Sequence, residues 1–344
     1  MTREPFFRLP DGNVASVFRL READGFGADI TDFGGCVTAL YAPDRHGTLR
    51  DVALGWKQPE TYRENPGYLG ALIGRMTNRI GGGRFTLDGR IYQMCLNDRD
   101  HSTLHGGFGY SHRMWTVEEA ASDRLALTLT SADGDAGFPG TLFVRAVYAL
   151  KPEHTLELEI SAEADRPTVA DFTSHLYFNL EGEGSGRCDS HFISLKSDRV
   201  TAVDDFLVPT GEVRPVDGTR FDLRRGRSFA AILADRPGGF DDNFILGDRD
   251  RCFREDCAVV TAAGSGIRMR LHTSRPGVQF YMGGGLPDSP CAGKSGQPYA
   301  ACGGFCLEPQ CWPDAVNHPN FPSVRVDPEH PFHGITRWQF DYFK

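Results

Sequence analysis

The sequence predicts an all-β protein, one large antiparallel β-sandwich, and three observations predict it. Forty glycines and 21 prolines punctuate the chain every few residues, which leaves little room for long helices. Between them lie runs of alternating polar and apolar residues, from Leu125 to Thr130, Thr141 to Tyr148 and Thr155 to Ile160. Their period of two puts Leu, Val and Ile on one face of a strand. No repeat, low-complexity tract or composition shift marks a linker, so residues 1–344 read as a single domain.

The punctuation supplies the connections. Asp88-Gly89, Asp133-Gly134 and Thr210-Gly211 stand at hairpin-like distances from the runs and read as turns. Ser228 to Ala234 is the one stretch that reads as a helix, with Ser228 as its cap.

Charge narrows the function. With 37 Lys plus Arg against 46 Asp plus Glu, the net charge is −9. The densest basic cluster, Arg224, Arg225 and Arg227, is too short for the stripe that nucleic acid or an anionic membrane needs. The opening MTREPFFRLP has no apolar leader and no run reaches 18 apolar residues, so the expectation is a soluble, cytoplasmic protein. Nine cysteines then read as reduced thiols. Cys302, Cys306 and Cys311 lack the paired C-x2-C spacing of structural zinc sites, so they read as small core residues and no metal is expected.

Six stretches break the alternation with polar groups that strands and turns do not require. They centre on Asn78-Arg79, His105 with two following glycines, His175 and Tyr177, Asp241-Asp242, Gln279, and Glu308 inside FCLEPQCWPD. Each has an ordinary explanation: a hydrogen-bonded strand histidine, an Asx turn, a surface arginine. Together they are what a pocket for a polyhydroxylated molecule needs, because amides, carboxylates and guanidinium pair with hydroxyls that both donate and accept. There is no dinucleotide fingerprint, phosphate loop, H-E-x-x-H or G-x-S-x-G, so no cofactor is expected.

The chain resembles the aldose 1-epimerases, or mutarotases, of the galactose mutarotase family. The matching stretches are GRMTNRIGGGRFTLDG (74–89), LHGGFG (104–109), HLYFNLEG (175–182), GFDDNF (239–244), PGVQFY (276–281) and FCLEPQCWPDAVNHPNFPS (305–323), in the family's order. The resemblance implies the galactose mutarotase-like supersandwich, a monosaccharide substrate, no cofactor, and a monomer or homodimer. It implies Glu308 as general base and His175 as general acid. It places Asn78, Arg79, His105, Tyr177, Asp241 and Gln279 around the sugar. Ser174 and Leu176 depart from the usual Asn and Thr, Pro309 and Cys311-Trp312 from Thr and His-Phe, and Met282-Gly-Gly284 from Thr-Gly-Asn. None removes a catalytic group, and the preferred sugar stays open.

Interconverting α and β anomers takes two proton transfers, one from the C1 hydroxyl to a base and one from an acid to the ring oxygen. The apolar neighbours of Glu308 are expected to raise its pKa and strengthen it as a base. Two other readings compete. A non-catalytic sugar-binding protein would use Arg79, Asp241 and Gln279 but would not need both His175 and Glu308. A glycosidase would need two carboxylates flanking one bond.

Overall fold

The computed structural model describes residues 2–249, 256–286 and 291–343. Three antiparallel sheets carry the architecture: nine strands, six strands and five. The three runs singled out above become Arg124–Ser131, Leu142–Lys151 and Thr155–Ala164, consecutive neighbours in the nine-stranded sheet. The same sheet holds Ile267–Thr273 and Phe332–Tyr342, whose buried positions alternate with more exposed ones along nearly their whole length.

The five-stranded sheet is built from the first 51 residues as a meander from Thr2–Arg8 to Leu49–Asp51. The six-stranded sheet runs in the order Tyr177–Phe178, Phe305–Gln310, Gly277–Tyr281, Asp241–Ile245, Arg199–Val203, Pro209–Pro215. The main core lies between the sheets. Trp338 and Phe340 of the nine-stranded sheet meet Phe178 of the six-stranded one, each with ring centroids 6.4 Å apart. Leu20, Ile30 and Leu40 of the five-stranded sheet join the same apolar cluster.

The helix runs Phe229–Asp235 and is the only α-helix among the described residues; Ser228 caps it by accepting the N–H of Ala231 at 3.2 Å. Asp88-Gly89 is a hairpin turn as expected, joining Arg84–Leu87 to Arg90–Gln93 with both residues at positive φ. Asp133-Gly134 is also a turn, closed by the N–H of Asp135 to the Ala132 carbonyl at 3.1 Å, within a longer connection that continues as a 3₁₀ turn at Asp135–Gly137. One turn assignment needs correction. Thr210-Gly211 lies inside the strand Pro209–Pro215, where pairing with Arg199–Val203 shifts register. Gly211 has φ +86°, so its backbone freedom makes an irregular strand instead of a turn.

Candidate active site

The site follows from the pleat of the six-stranded sheet. Gln279 lies opposite Glu308 and Asn243, and Tyr281 lies opposite Cys306 and Asp241; Tyr177 faces Cys306 from the other side. Paired residues and residues two apart share a face. Tyr177, Cys306, Glu308, Gln279, Tyr281 and Asp241 therefore form one polar floor. Phe178, Phe305, Leu307, Val278, Phe280 and Phe244 take the other face and enter the main core. The four strands Tyr177–Phe178, Phe305–Gln310, Gly277–Tyr281 and Asp241–Ile245 contribute to the core and the cleft in alternate residues.

This corrects one detail of the sequence reading. Phe305 and Leu307 do not wrap the carboxylate of Glu308; they turn away from it into the core. Glu308 is 2% exposed all the same, at the bottom of a cleft of about 460 Å³. Burial there, together with the charge of Asp241, pushes its pKa well above the carboxylate range, and Arg79 opposes the shift. Its Oε2 has no hydrogen-bond partner.

His175 stands over this carboxylate, with Nε2 3.8 Å from Oε2 of Glu308. It lies in the extended link between Thr173–Ser174 and Tyr177–Phe178, so His175 and Tyr177 face the same way and their rings stack at 4.9 Å. Burial lowers the His175 pKa to about 4. Tyr68 also stacks on the ring, with centroids 6.0 Å apart.

The remaining groups come from loops. After the strand Ser102–Leu104 the chain turns at His105, Gly106 and Gly107, all at positive φ. A Cβ on Gly106 would sit 2.6 Å from the carbonyl oxygen of Gly74, so glycine is required by a close backbone crossing. That crossing lets His105 and Asn78 meet: the N–H of Asn78 donates to Nδ1 of His105 at 3.3 Å, and the N–H of His105 donates to the Asn78 carbonyl at 2.9 Å. Burial, with the charges of His175 and Arg79, holds the His105 pKa well below its usual value. Arg79 donates to Asp98 at 2.7 Å and approaches Asp241 at 3.9 Å. Gln279 donates from Nε2 to Asp241 at 2.7 Å.

All eight sequence-predicted residues line this one cleft: Glu308, His175, Asn78, Arg79, His105, Tyr177, Asp241 and Gln279. Tyr68, Arg99, Leu207, Arg236 and Tyr281 also line it and were not singled out. Tyr68, Arg99 and Leu207 sit at positive φ, as do Asn78 and His105. Such strain collects where structure is spent on function. Pro66-Gly67 before Tyr68 and Asn97-Asp98 before Arg99 mark turns, but nothing in the sequence says that those turns reach the cleft.

His105, His175 and Glu308 offer ligand atoms within 4.8 Å of one another, a spacing a divalent cation spans. The hydrogen bond from Asn78 argues for another use. It occupies Nδ1 of neutral His105 as an acceptor, so the ring proton is on Nε2. An Nε2–H is a donor to a ligand oxygen and not a metal ligand.

A cleft that sets a buried carboxyl beside a histidine and lines it with arginine, aspartate and amide groups, on a β-sandwich, has the make-up of a class, proteins that act on a carbohydrate. The comparisons give the family. The family model for aldose 1-epimerase matches residues 16–338. The galactose mutarotase of Rattus norvegicus is 40% identical over 343 residues, covering 99% of this chain and 98% of its own. The aldose 1-epimerase of Escherichia coli is 32% identical over 342 residues, covering 96% of each chain. Among solved structures, the aldose epimerase homologue from C. elegans superposes with a TM-score of 0.88 at 27% identity, covering 96% of this chain and 100% of that one. The chain belongs to the aldose 1-epimerase family.

Proposed function

We propose that the protein interconverts the α and β anomers of a free aldose such as galactose or glucose, with Glu308 as base and His175 as acid. The observation that carries this reading is the unpartnered Oε2 of buried Glu308, 3.8 Å from Nε2 of His175. The two exchangeable positions of a cyclic aldose, the C1 hydroxyl and the ring oxygen, are bonded to the same carbon. An acid and a base that serve both must converge on one small region. Glu308 takes the hydroxyl proton while Nε2 of His175 protonates the ring oxygen, and the C1–O5 bond breaks to give the aldehyde. Rotation about C1–C2 presents the other carbonyl face, and the transfers then run backward. Each group ends ring opening in the form that ring closure needs.

The pair works only while it holds one proton. Opening starts from carboxylate and imidazolium and ends with carboxylic acid and imidazole, and the directions of the two pKa shifts keep the free enzyme in that second form. A two-proton pair forms below about pH 4, and a proton-free pair forms above the raised pKa of Glu308. The rate therefore follows a bell between them. Arg79, Asp241, Gln279 and the Nε2–H of His105 bind the remaining hydroxyls. Protons move and electrons do not, so the chemistry asks for neither nucleotide nor metal. A sugar-binding protein without catalysis would bury Glu308 beside His175 to no purpose and at a cost.

The test is polarimetry of freshly dissolved α anomers of galactose, glucose, xylose and arabinose, before and after dialysis against a chelator. Faster rotation change with at least one sugar, undiminished by the chelator, is expected. No acceleration of any of them sinks the reading, and loss restored by zinc reassigns the His105, His175 and Glu308 cluster.

A further inference from the structure

The sheet that presents Glu308 presents a second group to His175. Cys306 lies two residues earlier on the same strand and face, fully buried, with Sγ 3.5 Å from Nδ1 of the imidazole. That is an ordinary distance for a hydrogen bond to sulfur, and it engages the ring nitrogen remote from Glu308. We propose that Cys306 is the positioning residue of the acid: its sulfur accepts the Nδ1–H of His175 throughout the cycle, which reserves Nε2 as the nitrogen that gives and retakes the proton. The inference rests on the acid role of His175.

The proton count requires such a partner. Imidazolium carries both N–H groups; once Nε2 has protonated the ring oxygen, the neutral ring must keep its proton on Nδ1. Should that proton migrate to Nε2, the ring could not take a proton back when the sugar closes. A fixed acceptor on Nδ1 prevents the migration. A carboxylate in this place would trap the imidazolium. A thiol does not, and burial pushes the Cys306 pKa well above its usual value, so it stays neutral. The other titratable groups facing His175 do not compete for Nδ1 by any hydrogen bond among the described residues. Glu308 faces Nε2. His105 meets the ring edge-on at 5.2 Å, and Tyr68, Tyr177 and Tyr281 contact it through their rings.

Four substitutions and one spectrum test it. In ¹⁵N-histidine-labelled protein at neutral pH, the signal lost in His175→Asn identifies His175, and its proton is expected on Nδ1. Cys306→Val and Cys306→Ala remove the acceptor, Val nearly preserving volume in case Ala destabilises the strand. Both are expected to lower kcat about tenfold, the effect of one hydrogen bond, with KM within about twofold. Both should also move the acid limb of the pH profile to lower pH and shift the ring proton to Nε2. Cys306→Ser, which restores an acceptor, is expected within about threefold of wild type with the limb returned. A wild-type His175 protonated on Nε2, a Val variant indistinguishable from wild type, or a Ser variant as slow as Val overturns the assignment. If His175→Asn itself keeps normal kcat, the acid role fails and this inference with it. If that variant is inactive while the Cys306 variants are silent, only the positioning role falls.

Discussion

Two carboxylates lie equally deep in this molecule and are treated in opposite ways. Asp171 is 0% exposed and fully engaged: Arg275 donates to Oδ1 at 2.5 Å, and the Thr77 hydroxyl and the N–H of Cys311, at 2.9 Å, donate to Oδ2. Glu308 is 2% exposed, and its Oε2 has no partner. A buried charge costs free energy unless it is paired and hydrogen-bonded. Asp171 satisfies that rule and serves as a brace, because Thr77 precedes Asn78-Arg79 and Cys311 follows the Glu308 strand, so one carboxylate ties two edges of the cleft together. Glu308 meets the rule another way: burial favours its protonated form, and an oxygen without a partner is left open to a ligand, as the proposed proton transfer requires. Burial alone does not separate scaffold from site; the count of partners does.

The comparison breaks most directly when each acid becomes its amide. Glu308→Gln should lower kcat for mutarotation by about 10²- to 10⁴-fold, the span of general acid–base catalysis, and leave the melting temperature at pH 8 equal or higher. Asp171→Asn should do the reverse. It removes the buried carboxylate to which Arg275 donates, at a cost of up to about 3–5 kcal/mol, while kcat per folded molecule falls far less. Polarimetric rates and thermal melts on the two variants check both halves. A Glu308→Gln protein that loses stability but keeps its rate would exchange the two roles.

The same contrast sharpens with pH. Folded Glu308 keeps its proton where the unfolded chain, with the ordinary value of 4.5, has lost it. Folding therefore takes up a proton above that value, and the stability contributed by Glu308 is present below about 4.5 and lost as pH rises toward the folded pKa. Glu308→Gln removes the dependence. Its stability advantage over wild type, measured by urea unfolding, should be near zero at pH 4 and grow toward pH 8. An advantage that is flat across that range would mean the carboxyl is not held protonated by burial.

Much of this was legible in the sequence, for identifiable reasons. Strands with one face in the core show a period of two, and that period located the sheets. The eight residues that meet in the cleft were legible because their polar groups interrupt otherwise apolar strands or stand beside glycines. What was hidden depends on register and backbone. Nothing local says that Leu307 faces the core while Cys306 faces the cleft; pairing with Tyr281 and Tyr177 decides it. Tyr68, Arg99 and Leu207 reach the cleft from left-handed backbone that the fold imposes on residues without a turn preference. Gly211 looked like a turn because positive φ serves bulges as well as hairpins.

The smallest expected effect separates two adjacent acids. Asp241 and Asp242 open the strand Asp241–Ile245, so their side chains take opposite faces. Asp241 lines the cleft, accepts from Gln279 at 2.7 Å and stands 3.9 Å from Arg79. Asp242 pairs with Arg236 and also accepts the N–H of Asp241 at 3.1 Å. A carboxylate that binds sugar hydroxyls holds substrate and transition state about equally, so its loss appears mainly in KM. Asp241→Asn should raise KM about tenfold, one charge-assisted hydrogen bond, with a smaller change in kcat. Asp242→Asn should lower the melting temperature and leave KM and kcat within about twofold. Steady-state kinetics on the two purified variants decide the matter. A KM effect confined to Asp242→Asn would place the wrong acid in the cleft, and equal melting losses with unchanged KM would reduce both acids to shaping the strand's entry.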